Sequence, residues 1–79
     1  MSRSSNSTLD QLRPGATARV KGCHGRGAIY QRLCEMGLIQ GAELRVVRRI
    51  PLGGPLEVQI QNYHLSLRRS EARMVLVDP

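Results

Sequence analysis

The hydrophobic pattern of this chain changes period once and then changes back, and that switch limits the folds open to it. Leu56, Val58 and Ile60 alternate with Glu57, Gln59 and Gln61, the period of a strand with one face buried and one exposed. Ala18 and Val20 alternate in the same way within Thr17 to Lys21, as do Leu44 and Val46 with Arg45 and Val47, and Leu65 and Leu67 with Ser66 and Arg68. Between the first two of these strands, Ile29, Leu33 and Met36 recur at helical spacing with Tyr30 and Cys34 beside them, and Gly37 offers a left-handed stop. Met74 to Val77 is continuously apolar, the mark of a strand buried on both sides. Short strands around one helix predict a mainly β fold, a small barrel with short helical turns.

Turn chemistry sets the boundaries. Thr8 is placed to cap a short turn through Leu12, with Asp10 near its positive end, and Pro14-Gly15 then reverses the chain before a strand that begins near Ala16. Gly22-Cys23-His24-Gly25 interrupts that strand, Pro51 ends the next, Leu52-Gly53-Gly54-Pro55 forms a loop, and Asn62-Tyr63 provides a turn. Ser70 is expected to cap a single helical turn running to Arg73. Residues 1–7, rich in Ser and Asn, read as a flexible polar tail, which leaves residues 8–79 as one domain.

A chain of 79 residues supports only a thin core, so a buried multi-residue active site is not expected. No apolar run approaches the ~20 residues that span a bilayer, so no direct membrane insertion is expected. The polar start lacks the apolar segment of a secretory signal, so the expected compartment is the cytoplasm, where Cys23 and Cys34 stay as free thiols. Of the six carboxylates, Glu43, Glu57 and Asp78 fall at exposed or terminal positions with no apolar pocket to raise their pKa. The expectation is that the protein is not an enzyme and has no catalytic residues.

Three other chemistries are open on residue type. Gly22, Gly25 and Gly27 precede a helix as a phosphate loop would, but no Lys-Ser/Thr follows, and glycines serve equally for a tight strand-to-helix turn beside Arg26. Cys23, His24, Glu57 and His64, with Cys34, supply metal-ligand atoms, yet their spacing matches no structural zinc pattern. No resident cofactor is therefore expected, and capture of a divalent ion by Cys23-His24, adventitious or regulatory, stays open. A net charge of +6 with Arg45, Arg48, Arg49, Arg68 and Arg69 suits phosphate, but with two Tyr and neither Phe nor Trp the base-stacking platform is missing, so nucleic acid is not the expected partner.

Arg32-Leu33-Cys34-Glu35-Met36-Gly37-Leu38-Ile39-Gln40-Gly41-Ala42-Glu43-Leu44 resembles the helix-to-strand signature of the ferrous iron transport protein A (FeoA) family. Leu12-Arg13-Pro14-Gly15 is similar to that family's opening turn, Pro51-Leu52-Gly53-Gly54-Pro55 to its central loop, and Leu65 to Ala72 to its closing segment. The likeness runs from Leu9 to Val77; the Cys23-His24 loop and the Ser-rich start have no counterpart in it. The resemblance implies an SH3-like barrel that serves bacterial ferrous iron uptake as an accessory or regulatory protein. It would dock on the cytoplasmic region of a large membrane transporter carrying a GTP-binding domain, and so be recruited to the inner face of the membrane. The alternatives are a basic barrel that binds nucleic acid and a divalent-metal carrier. The docking surface expected from the residues combines Arg26 and Tyr30 on the helix with Leu52 and Gly53 in the loop and the Arg68-Arg69 pair, since an apolar loop side chain beside Arg has the character of a binding hot spot. A homo-oligomer is neither required nor excluded.

Overall fold

The computed structural model describes residues 7–78, which form one six-stranded antiparallel sheet with a 3-10 turn and two helices. In chain order these are β1 (Ser7–Thr8), the 3-10 turn (Leu9–Gln11), β2 (Thr17–Cys23), α1 (Gly27–Glu35), β3 (Glu43–Arg49), β4 (Leu56–Ile60), β5 (Tyr63–Leu67), α2 (Arg69–Ala72) and β6 (Val75–Asp78). The strand order is β1-β6-β2-β3-β4-β5, and extents of 33 × 28 × 26 Å show a sheet bent around its own core rather than laid flat. Inward positions of the alternating runs build that core: Ala18, Val20, Leu44, Val46, Leu56, Val58, Ile60, Leu67, Val75 and Val77 are buried, joined by Leu9, Leu33 and Leu38.

Where the sequence predicts five strands the structure has six, because Ser7 and Thr8 pair with Val77 and Leu76. Ser7 thus belongs to the sheet; residues 1–6 of the expected tail lie outside the described residues. Alternation rather than two-sided burial governs β6, with Val75 and Val77 buried and Leu76 half-buried, since β6 has its sheet neighbours β1 and β2 in plane and the core on one face. The turn between β4 and β5 is Gln61-Asn62, one residue earlier than expected, with Gln61 at positive φ and Tyr63 already paired with Ile60. The last helical turn is capped at Arg68 rather than Ser70, because Glu71 reaches back to accept the Arg68 backbone N–H at 2.9 Å.

Two bulges reshape the strands. One, between Val20 and Gly22, carries β2 on through Gly22 to Cys23, which pairs with Val75, so Gly22 extends the strand instead of ending it. The other, between Val46 and Arg48, resolves a conflict of periodicity: strict alternation after Leu44 and Val46 would send Arg48 into the core. The extra residue turns Arg48 outward to Glu57, at 3.2 Å, and turns Arg49 under the sheet, where its Nη1 donates to the carbonyls of Asp10 at 2.7 Å and Leu12 at 2.8 Å. Those carbonyls lie in and just after the 3-10 turn, which is itself closed by the Leu12 N–H on the Leu9 carbonyl, so the guanidinium satisfies acceptors that the turn leaves open.

The β3–β4 connection depends on a glycine for space. A Cβ on Gly54 would lie 2.5 Å from Ile50 Cγ2 and 2.8 Å from its Cβ. Gly54→Ala is therefore expected to lower stability by about 1–3 kcal/mol, the usual cost of forcing a methyl into filled space. A urea midpoint equal to wild type would show that the loop yields freely.

Candidate functional site

Helix α1 lies with Leu33 buried and its other apolar residues at the surface: Ile29 is 45% and Tyr30 46% exposed. The predicted stripe of Ile29, Leu33 and Met36 thus reaches the core fully only at Leu33, with Met36 partly buried against it and Ile29 left nearly half exposed. Arg26 precedes the helix in extended conformation with no side-chain cap, and the first turn carries no acidic residue. The first-turn backbone N–H groups thereby add their partial positive charge to that of Arg26.

Glu71 ties α2 to α1. Its carboxylate, buried, accepts the Arg68 N–H and stands 3.4 Å from Arg32 Nε on α1. The two helices enclose a small groove of about 230 Å³ with Ala28 and Ile29 on one wall and Arg68, Ser70 and Glu71 on the other. On the opposite side α2 meets the β3–β4 loop: Arg69, half-buried, donates from Nη2 to the Ile50 carbonyl at 3.4 Å, while its Nε is buried without a partner among the described residues. The predicted docking residues therefore divide into two groups, Arg26 and Tyr30 at the start of α1 and Leu52 and Gly53 on the loop, with Arg68 and Arg69 on the segment between them. Arg68 faces solvent; Arg69 is directed inward and braces the loop. Leu52 is fully exposed and packs on nothing.

Of the arginines suited to phosphate, Arg48 pairs with Glu57 and Arg49 and Arg69 bond backbone carbonyls, which leaves Arg45 and Arg68 facing solvent. The larger depression, about 960 Å³, lies on the outer face of the sheet around Thr17, Arg19, Glu43, Arg45 and Gln59. It is open and of mixed charge, crossed by the Arg19–Glu43 ion pair at 2.5 Å.

The metal-ligand candidates are scattered. Cys23 ends β2 and His24 follows it, Glu57 on β4 is held by Arg48, and His64 on β5 stands opposite Gln59. Among the described residues no group of three or more His, Cys, Asp or Glu could hold an ion. Burial, and after it the neighbouring Cys34, push the Cys23 thiol above its usual pKa, and its Sγ lies 3.7 Å from the Leu38 carbonyl as a weak donor. The pKa of the Tyr30 hydroxyl is likewise raised, first by the Cys34 thiol beside it.

Sequence reasoning missed Glu71, Arg32 and Ile29 as parts of this surface. Glu71 carried a signal, being three residues beyond the helix cap, but the cap was placed at Ser70. Ile29 carried none, since helical periodicity assigns it to the core.

The FeoA domain family is matched over residues 7–79, essentially all of the described chain. This chain belongs to the FeoA domain family. A curated Porphyromonas gingivalis protein, an Fe(2+) transport protein A/Fe(2+) transporter FeoB fusion protein, is 36% identical over 70 residues, which are 89% of this chain and 8% of that protein. This FeoA domain thus spans less than a tenth of that relative. The zinc-complexed FeoA of Stenotrophomonas maltophilia, described as an SH3 domain protein, superposes with a TM-score of 0.79 at 39% identity, over 91% of this chain and 89% of that one. The FeoA protein of Chlorobium tepidum gives 0.82 at 38% identity, over 90% and 68%. The small mainly β barrel read from the pattern is the SH3-like FeoA fold. Among the described residues no helix is long and apolar enough to cross a membrane.

Proposed function

We propose that this FeoA domain acts by docking on the cytoplasmic region of a ferrous iron transporter, as a non-enzymatic accessory that needs no cofactor of its own. The observation that carries the reading is the fusion of a 36% identical FeoA segment to an Fe(2+) transporter FeoB in one chain. A covalent link holds two modules at an effective concentration of order mM, an arrangement that profits a pair whose separate contact is weak. The surface suits such contact: an exposed Ile29 and Tyr30 beside Arg26 and Arg68, neither of which pairs with a carboxylate among the described residues, offer apolar area edged by positive charge. A patch of about 600–800 Å² per partner is within reach of so small a domain. The domain would work at the inner face of the membrane, where the transporter's GTP-binding region lies.

The test is saturable binding of the intact chain to the purified cytoplasmic region of the transporter, at low and physiological salt. Binding that persists at physiological salt and weakens about tenfold in Arg68→Ala is the expected result, an Arg side chain at the rim of an apolar patch contributing on the order of 1–2 kcal/mol. Arg69→Ala is unsuited to this test, because Arg69 braces the loop and its loss perturbs the fold. Absence of binding at both salts would overturn the proposal, as would GTP hydrolysis by the isolated domain.

A further inference from the structure

The chain reverses between β3 and β4 in a turn whose residues do not suit one another. Pro51 and Gly54 close it, the Gly54 N–H donating to the Pro51 carbonyl at 3.2 Å, and the Ile50 N–H donates to the Pro55 carbonyl at 3.0 Å just outside. Both central residues have positive φ, Leu52 at 62° and Gly53 at 78°. Positive φ at both central positions is the mark of a type I′ turn, where Gly, Asn and Asp predominate because a bulky side chain is strained in the left-handed region. Gly53 suits its place; Leu52 does not. Nothing is gained in return from packing, since Leu52 is fully exposed. A strained backbone and an unburied apolar side chain at one residue are two costs to folding without a folding benefit.

Resting on the docking reading above, we infer that Leu52 is the knob of that interface, an apolar side chain presented on a stiff turn for insertion into a hydrophobic socket on the transporter's cytoplasmic region. The stiffness comes from Pro51 and Pro55 flanking the turn and from Ile50, which fills the space under Gly54 that a Cβ would take. A knob held this way loses little freedom on binding. The charge beneath it specifies the rim of the socket. Arg49 and Arg69 flank the base of the loop, and among the described residues neither pairs with a carboxylate: Arg49 is bonded to the Asp10 and Leu12 carbonyls and Arg69 to that of Ile50. With solvent-facing Arg68 they leave the loop in a positive field, and the complementary socket is edged by Asp or Glu.

The inference separates stability from binding. Leu52→Gly and Leu52→Asn place residues in the turn that accept positive φ, so their urea midpoints are expected to equal or exceed wild type. Their affinity for the transporter's cytoplasmic region is expected to fall at least about tenfold, the loss typical of removing an anchoring side chain. Leu52→Met, which keeps an apolar side chain of similar volume, is expected to bind within about threefold of wild type. Lower urea midpoints for both Leu52→Gly and Leu52→Asn would overturn the inference, since glycine's freedom in the unfolded chain does not act in the asparagine variant and the shared loss would make Leu52 a stabilising residue. Wild-type affinity in Leu52→Gly, in a preparation where Arg68→Ala binds weakly, would overturn the knob and leave the docking surface standing. Failure of the wild-type chain itself to bind would remove the docking reading, and the knob with it. Self-association of the wild-type chain in sedimentation, lost in Leu52→Gly, would make a second copy the occupant and overturn the transporter socket.

Discussion

Leu33→Ala is expected to cost about 2–5 kcal/mol, the range for emptying a fully buried leucine site. The consequence is severe because a domain of this size has roughly 4–12 kcal/mol in total, at about 0.05–0.15 kcal/mol per residue. Leu33 is the one fully buried residue of α1; its carbonyl also receives the N–H groups of Met36 at 3.2 Å and Leu38 at 3.0 Å, so the helix end and the following loop are fixed through it. Ile29 and Tyr30 cannot replace it, since nearly half of each is in solvent. With a urea slope of about 1 kcal/mol/M for a small domain, the midpoint should fall by ~2 M or more. Helical circular dichroism should be lost in the same transition. Ile29→Ala is the control, expected to stay within about 1 kcal/mol of wild type because the side chain is half in water in the folded state. A Leu33→Ala midpoint shift below ~0.5 M would mean that α1 is held by something other than its single core contact.

The sheet was legible wherever alternation was strict. Leu56 to Ile60 and Leu44 with Val46 were assigned faces that the structure keeps, and their pairing as neighbours follows from a connection too short for anything else. Alternation became illegible at Val47 and Lys21, where bulges insert a residue. No local pattern announces a bulge, and its reason is the cost of burying Arg48, which depends on what lies beneath the sheet. The pairing of Ser7 and Thr8 with β6 was equally hidden, since two polar residues form a strand only when a distant partner offers free backbone groups.

The candidate surface was legible by composition but not by role. Arg68 and Arg69 are adjacent and identical in the sequence, yet one is solvent-facing and the other braces Ile50, a distinction set by which side of α2 meets the loop. The same division separates Arg48 from Arg49. A count of arginines in the sequence therefore does not show which guanidiniums are free to contact a partner: Arg49 and Arg69 keep their charge but spend their N–H groups on backbone carbonyls. Leu52 is the reverse case. A lone loop leucine has no pattern to indicate whether it folds back over the core, and only its backbone conformation and exposure reveal that it does not.

Gly37→Ala is expected to cost about 2–4 kcal/mol, through two causes that a second substitution can separate. The first is conformational: Gly37 ends α1 at φ 97°, a left-handed conformation that costs a residue with a side chain about 1–2 kcal/mol. The second is steric. Tyr63 crosses from β5 to donate its hydroxyl to the Met36 carbonyl at 2.6 Å, and an added Cβ on Gly37 would strike that hydroxyl oxygen, although it would meet the ring carbon bearing it at an ordinary 3.6 Å. In wild type the alanine must expel the hydroxyl and break a bond worth about 0.5–1.5 kcal/mol. In a Tyr63→Phe background no hydroxyl is there, and Gly37→Ala should cost only the conformational ~1–2 kcal/mol. The two substitutions are thus expected to be non-additive by about 1 kcal/mol or more in the double-mutant cycle, with the double variant more stable than the sum of the single losses. Urea midpoints of the four proteins decide it. Strict additivity would show that Tyr63 swings clear at no cost and that the helix end is limited by backbone conformation alone.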